Sequence, residues 1–298
     1  MRVTTDMMLR GMLKNFSRNL ERIDRYNNQL GTGKRILRPS DDPSATSLQM
    51  SLRSEVRKIA QYVENVQSGI TWLENTDVAL NEVGEVIQRM RDLAIQGSSS
   101  TLAQDSRDAL AEEIDELIDH LVQVANSRVG NRYIFAGTRT TVAPMVKDYD
   151  DDGHVRSVTY VGDTGNITIE VASGVTVDLN IPGSEVFSAV FDAAIKLRDS
   201  LLAGDLAAVS GSCLSELDDA TDLVLKQRSV VGAKINRLQL TESRLGEIEA
   251  NTKTLLSQVE DIDVAELIMN LRMQEVVYEA SLNVGSKVIQ PSLLDFMK

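Results

Sequence analysis

Between Pro43 and Gln96, apolar residues recur every seventh position: Leu52, Ile59, Val66, Leu73, Leu80, Ile87 and Ala94. Val56, Val63 and Ile70 fill the intermediate places, giving the 4-3 alternation of a helix whose apolar seam faces other helices. After Leu73 the intermediate places fall to Asp77, Gly84 and Arg91, and Val83, Val86, Met90 and Leu93 carry the stripe to a neighbouring face. No proline interrupts the segment. A helix of this length would be roughly 80 Å long and needs partners along all of it.

The chain before it has the same period. Leu9, Phe16, Ile23 and Leu30 are spaced by seven, with Leu13 and Leu20 between them, and the pattern stops at Gly31-Thr32-Gly33. An amphipathic helix of this length is marginal alone in water, so its apolar side requires a cover. Lys34 to Pro43 reads as a loop, with Asp42 placed as N-cap and Pro43 as the first residue of the next helix. Gly97-Ser98-Ser99-Ser100 ends the long helix, and a further one is expected from about Ser106 to Val129, striped by Leu110, Ile114, Leu117, Leu121 and Val124.

From Gly130 the period falls to two. Tyr133–Phe135, Val155–Val161, Ile167–Val171 and Val175–Ile181 read as short strands separated by Gly- and Asp-containing turns. Helix returns near Ser184. A second long segment, roughly Asp205 to Val259, repeats Leu217, Val224, Val231, Leu238, Leu245, Thr252 and Val259 at intervals of seven. Two long heptad segments on either side of a β insertion predict antiparallel packing. A last helix follows Asp261-Ile262-Asp263, with Val264, Ile268, Leu271, Tyr278, Leu282 and Ile289 on one stripe and Leu267, Val277 and Val288 on another. A helix apolar on more than one face is expected to meet more than one partner.

The predicted fold class is mainly α with a small β insertion: a long antiparallel helical rod or bundle, coiled-coil helices at both termini and a central β domain. Three parts are expected: terminal assembly helices at 1–42 with 262–298, a helical rod at 43–136 with 184–261, and a β-rich insertion at 137–183.

Composition narrows the function. Of 298 residues only 4% are aromatic, which suits a thin bundle better than a compact enzyme core. A net charge of -13 argues against nucleic-acid binding. Cys213 is the single cysteine, which excludes an internal disulfide, and its neighbours Val209, Leu214 and Leu217 place it in a core. Met1 to Asp6 lacks the charged-then-apolar layout of a signal peptide, so any export is expected by a route that cleaves nothing. No apolar run approaches the ~18 residues of a membrane span.

Candidate chemistry is sparse. Asp148-Tyr149-Asp150-Asp151-Asp152-Gly153 opens like a calcium loop, but Thr159 stands where a bidentate Glu is required, so it reads as a solvated acidic turn. His120, beside the helix stripe with no second His or Cys at ligand spacing, reads as structural or solvent-facing, and His154 has no partner nearby and receives no role. No phosphate loop and no nucleophile–base spacing occur, so catalytic, cofactor and metal residues are expected to be none.

Four stretches carry a resemblance: Met1-Arg2-Val3-Thr4; Arg38-Pro39-Ser40-Asp41-Asp42-Pro43; Asn131-Arg132-Tyr133-Ile134-Phe135-Ala136-Gly137-Thr138; and Ser292-Leu293-Leu294-Asp295-Phe296. With heptad helices at both ends, the chain resembles the flagellin superfamily, on the side of its hook–filament junction members. Bulk flagellin, the alternative, has a related loop at 38–43, usually without both prolines. The resemblance implies a bacterial extracellular structural subunit, exported unfolded through the flagellar type III apparatus. It implies a homo-oligomeric ring between hook-associated protein 1 (FlgK) and flagellin, and an export chaperone on the C-terminal helix. No membrane or nucleic-acid partner is implied. The expected assembly interface is Leu9, Leu13, Phe16, Leu20, Ile23 and Leu30 at one end of the chain. At the other end it is Val264, Ile268, Leu271, Tyr278, Leu282, Ile289, Leu293, Leu294 and Phe296. These stripes are expected to be disordered in the monomer and to order on assembly.

Overall fold

The computed structural model describes residues 5–150 and 154–289. Among the described residues seven α-helices and six short strands follow in chain order: α1 (Thr5–Thr32), α2 (Pro43–Gly97), α3 (Gln104–Ala125), β1 (Arg128–Val129), β2 (Arg132–Tyr133), β3 (Met145–Tyr149), β4 (Val155–Tyr160), β5 (Thr168–Ala172), β6 (Val175–Asp178), α4 (Phe187–Leu202), the single turn α5 (Leu206–Ala208), α6 (Leu214–Glu260) and α7 (Val264–Ile289). The chain divides into two compact units, residues 59–247 and residues 1–58 with 248–298.

In the larger unit the heptad register is the core. Ile59, Val66, Leu73, Leu80, Ile87 and Ala94 of α2 are buried, and so are Leu217, Val224, Val231, Leu238 and Leu245 of α6. Polar pairs along the seam fix the direction. Gln67 donates to Glu242 at 2.9 Å, Arg228 to Asp77 at 3.0 Å and to Asn81 at 2.8 Å, and Arg91 to Asp218 at 2.8 Å. The α2 number rises as the α6 number falls, so the two helices are antiparallel. Each fully buried Leu, Ile or Val contributes about 1.5–3 kcal/mol before ordering costs, so the seam is held along its length rather than at one point.

The pair widens where the α2 stripe broadens. Val83, Val86, Met90 and Leu93 are buried against the same core as Leu110, Ile114, Ile118 and Leu121 of α3 and Val190, Phe191, Ala194 and Leu197 of α4. Two facing helices need one seam and four need two, which is why the second stripe begins here. The heptad gap at Asp77 is filled by its ion pair with Arg228. Cys213 lies fully buried in a π-turn, Val209–Cys213, that leads into α6.

α3 stops at Ala125 rather than continuing to Val129, because Asn126 has a competing partner. Its side-chain amide donates to the Met145 carbonyl and its oxygen accepts from the Met145 N–H, both at 3.0 Å. The chain then turns at Gly130, with φ +60°, between β1 and β2.

Among the described residues the β region forms three separate two-stranded antiparallel hairpins, β1–β2, β3–β4 and β5–β6. Isolated hairpins are marginal in water, so each needs a helical face to rest on. Met145, Val155, Val171, Val177, Leu179 and Ile181 supply it, entering the same hydrophobic core as α2 and α6. Strand β3 does not emerge from the sequence pattern. Lys147 and Asp148 break its apolar run, and its pairing with β4, from Met145↔Tyr160 to Tyr149↔Val155, supplies the order instead.

Candidate assembly surface on the terminal helices

The smaller unit is built around a charged joint. Gly33, at φ +70°, ends α1 in a conformation that glycine adopts without penalty. Beyond it, Arg35 N–H donates to the Glu260 carbonyl at 2.7 Å, and Ile262 N–H donates to the Gly33 carbonyl at 3.3 Å. The buried Gln29 donates to the Arg35 carbonyl at 2.6 Å. The Glu260 carboxylate, 2% exposed, meets Arg53 Nε at 3.0 Å, the second Arg53 arm at 2.5 Å and Lys34 Nζ at 2.6 Å. Lys34 also reaches Asp261 at 2.8 Å. The Arg53 guanidinium, helped by Lys34 and Gln49, holds the Glu260 carboxyl down at about 2 despite burial, which pushes the other way.

The loop at 38–43 explains its own residues. Asp41 accepts from Leu37 N–H at 3.3 Å and Arg38 N–H at 3.0 Å, closing a turn around Pro39 and Ser40. Asp42 accepts from Ala45 N–H at 3.0 Å and caps α2, with Pro43 as its first residue. Asp263 caps α7 in the same way, accepting from Ala265 and Glu266.

α1 and α7 then pack on each other antiparallel. Phe16 and Tyr278 meet edge-on with ring centroids 6.2 Å apart, and Gln274 donates to Asn19 at 3.0 Å. Gly285 sits against Met12 and Phe16, where an added Cβ would lie 2.8 Å from Met12 Cε. The glycine that interrupts the heptad stripe is therefore the point of close approach between the helices.

The predicted interface residues divide into two groups. Leu9, Phe16, Ile23 and Leu30 of α1, with Leu271 and Tyr278 of α7, are partly buried in the vicinity of this seam. Leu13, Leu20, Val264, Ile268 and Leu282 are exposed, Leu13 at 62%. Met269, Met273, Val276, Val277 and Val284 of α7 are exposed as well. The Ile289 side chain and Leu293, Leu294 and Phe296 lie outside the described residues. The charged joint escapes the heptad reading because its members are polar and far apart in sequence. The signal available was Lys34-Arg35 after one helix and Glu260-Asp261 before another.

The Asn131–Thr138 stretch also acquires reasons. Arg128 lies over the Tyr133 ring, 4.1 Å from its centroid, and the buried Phe135 meets Phe187 edge-on at 4.9 Å. Gly137, at φ +68°, packs where any Cβ would overlap the Asp163 backbone, and Thr138 N–H donates to Asp163 Oδ1 at 2.6 Å. These donors lower the Asp163 pKa, the Thr138 hydroxyl most of all.

One chemical reading of the sequence changes. His154, given no role from spacing, pairs through Nδ1 with Asp115 of α3, which also accepts from the buried Arg198 at 2.8 Å. His120 pairs with Glu82 at 3.1 Å. Residues 151–153 of the acidic turn lie outside the described part. Among the described residues no group of His, Cys, Asp and Glu is arranged to hold a metal, and no helix is long and apolar enough to cross a membrane.

Comparison with known proteins gives this surface its context. Residues 3–140 match the bacterial flagellin N-terminal helical region, and residues 214–297 match the bacterial flagellin C-terminal helical region. Between them the two matches take in most of the chain. It belongs to the flagellin family. The chain is 26% identical to flagellar hook-associated protein 3 of Escherichia coli, over 100% of both chains. It is also 26% identical to a flagellin of Halalkalibacterium halodurans, over 90% of this chain and 88% of that one. The FlgL crystal structure from Xanthomonas campestris shares its fold, with a TM-score of 0.61, 20% identity and coverage of 69% of this chain and 99% of that one. A chain of this family is a structural component of the bacterial flagellum and not an enzyme.

Proposed function

We propose that this chain is the hook–filament junction subunit: a homo-oligomeric ring seated on hook-associated protein 1, on which flagellin polymerises. The observation that carries the reading is full-length similarity to a hook-associated protein 3, joined to terminal helices whose apolar faces exceed what their own pairing covers. A closed ring offers cover to every copy, since each surplus face meets a neighbour. Export by the flagellar type III route, without a cleaved signal, fits a chain with one cysteine and no disulfide. An export chaperone on the C-terminal helix would shield Met269, Met273 and Val276 before assembly.

The terminal helices are the assembly part of the chain and order fully only on assembly. Burying exposed side chains such as Leu13, Leu20, Ile268 and Leu282 among neighbouring copies supplies about 1.5–3 kcal/mol for each fully buried side chain, set against ordering costs. Limited proteolysis of the monomer tests this: rapid trimming of both ends supports it, and resistant ends contradict it.

Bulk flagellin is the second reading, favoured by the Halalkalibacterium halodurans match at equal identity. Immunogold labelling of an epitope-tagged copy separates the two. Gold confined to the hook–filament boundary supports the junction, whereas gold along the filament makes the chain a filament subunit.

A further inference from the structure

The polar side of α1 is cationic, and most of its cations lack carboxylate partners. At about 100° per residue, Arg10, Lys14, Arg18, Arg22 and Arg25 fall on one side of the helix, away from the α7 seam. All five are exposed. On that side of residues 7–25, Glu21 is the one acid, and Asp24 stands at the edge. Elsewhere cations meet carboxylates: Lys34, Arg53, Arg91, Lys147, Arg198 and Arg228 each do. Among the described residues Lys14, Arg18, Arg22 and Arg25 have no such pair. The helix holds five cations against three acids, in a chain whose net charge is -13.

The other side of α1 is apolar over a broad arc. Met8, Leu9, Met12, Leu13, Phe16, Leu20 and Ile23 share about 140° of the circumference, with Asn19 the one polar member among residues 7–23. The α7 helix covers only the middle of this arc. Phe16 meets Tyr278 and Met12 meets Gly285, while Met8, Leu13 and Leu20 are 49%, 62% and 48% exposed. A helix with a basic polar face and a wide apolar face is suited to the headgroup region of an anionic bilayer. There the apolar side enters the lipid and the cations meet its phosphates. A nucleic acid would engage the cation row alone and leave the apolar side uncovered. In α7 the balance is reversed, with Glu266, Glu275 and Glu279 outnumbering Arg272 and Lys287.

We propose that α1, before it is packed into an assembly, binds the surface of an anionic lipid bilayer, lying on it rather than crossing it. This rests on the reading that the terminal helices order fully only on assembly, since α7 must release the middle of the apolar face. Screening over about 8 Å at physiological salt lets the local charge of α1 decide the contact, rather than the net charge of the chain.

The test is flotation of the purified full-length monomer with two kinds of vesicle, phosphatidylcholine alone and phosphatidylcholine with about a quarter phosphatidylglycerol. Binding to the anionic vesicles is expected, weakened by added salt and at least about tenfold weaker on the neutral ones. With anionic vesicles present, trypsin should spare α1 and still trim the C-terminal end. No binding, or equal binding to both vesicles, would overturn the proposal.

Two pairs of substitutions separate the faces. Arg18→Glu with Arg22→Glu is expected to lower anionic-vesicle binding at least about tenfold, whereas Arg237→Glu with Arg244→Glu on α6 should leave it within about twofold. Leu13→Gln with Leu20→Gln keeps the charge and is expected to lower binding by about tenfold as well. Unchanged binding in that variant would mean that the cation row serves a polyanion without the apolar face, and would overturn the proposal. Trypsin digestion without vesicles isolates the reading beneath it. Resistant ends would sink that reading and this inference with it, whereas trimmed ends without vesicle binding would sink this inference alone.

Discussion

Glu260 and Arg53 form a two-armed ion pair, at 3.0 and 2.5 Å, between the end of α6 and the start of α2, with the carboxylate buried and the guanidinium half exposed. The pair is drawn together by chain ends, Glu260 preceding α7 and Arg53 following the loop from α1. It makes the stability of the smaller unit dependent on acid.

A carboxyl ordinarily near 4.5 and held at about 2 in the folded chain stabilises that chain fully above pH 4.5. The contribution falls as pH drops from 4.5 towards 2, because the unfolded chain takes up the proton first. Its size is on the order of 3 kcal/mol at neutral pH. Glu260→Gln is expected to remove most of it and to flatten the acid limb of unfolding curves followed between pH 5 and 2.5. An unchanged acid limb would show that Glu260 is not the group responsible.

His154 gives the opposite sign. The Asp115 carboxylate beside it raises its pKa above the ordinary 6.5. Stability from the pair is therefore present below pH 6.5 and lost as pH rises through the raised value. Hydrogen exchange in β3 and β4 is expected to quicken, beyond its intrinsic pH dependence, from pH 6 to pH 9. His154→Gln should abolish that extra increase, while exchange in the α2–α6 seam follows the intrinsic rate throughout.

Gly137→Ala is expected to destabilise the larger unit by at least about 2 kcal/mol, since the residue has positive φ and its Cβ would strike backbone rather than a movable side chain. Gly11→Ala meets nothing within 4 Å. In mid-helix it should be neutral or mildly stabilising by up to about 1 kcal/mol. Chemical denaturation of the two variants separates the close approach from a general intolerance of substitution.

Met273→Glu with Val276→Glu probes the uncovered face of α7. Both side chains are more than 60% exposed, so the monomer's unfolding midpoint should move little, within the equivalent of about 0.5 kcal/mol per site. Assembly should nevertheless fail, seen as loss of filaments in complemented cells. Normal filaments would show that this face stays in solvent.

The parts of the fold legible in sequence are those where one local rule repeats. Ile59 to Ala94 and Leu217 to Leu245 carry the burial their spacing predicts, because every seventh residue faces the same seam. Asp42-Pro43 marks a helix start through atoms within three residues of each other. Long-range partners are not written that way. Asp115 and His154 lie far apart in the chain and meet only once β4 reaches α3. Strand β3 alternates poorly by itself and is ordered by β4. On the candidate surface, periodicity finds the apolar stripes of α1 and α7 but not their division. Gly285 and Met12 show why: the close approach uses a glycine that hydrophobic patterning counts as a gap.

The most direct test of the junction reading is deletion of the gene, with electron microscopy of the cells and an assay for flagellin in the medium. A junction subunit predicts hooks without filaments and flagellin lost to the medium. Normal filaments would contradict the account, and absent filaments with no flagellin anywhere would make this chain the filament protein itself.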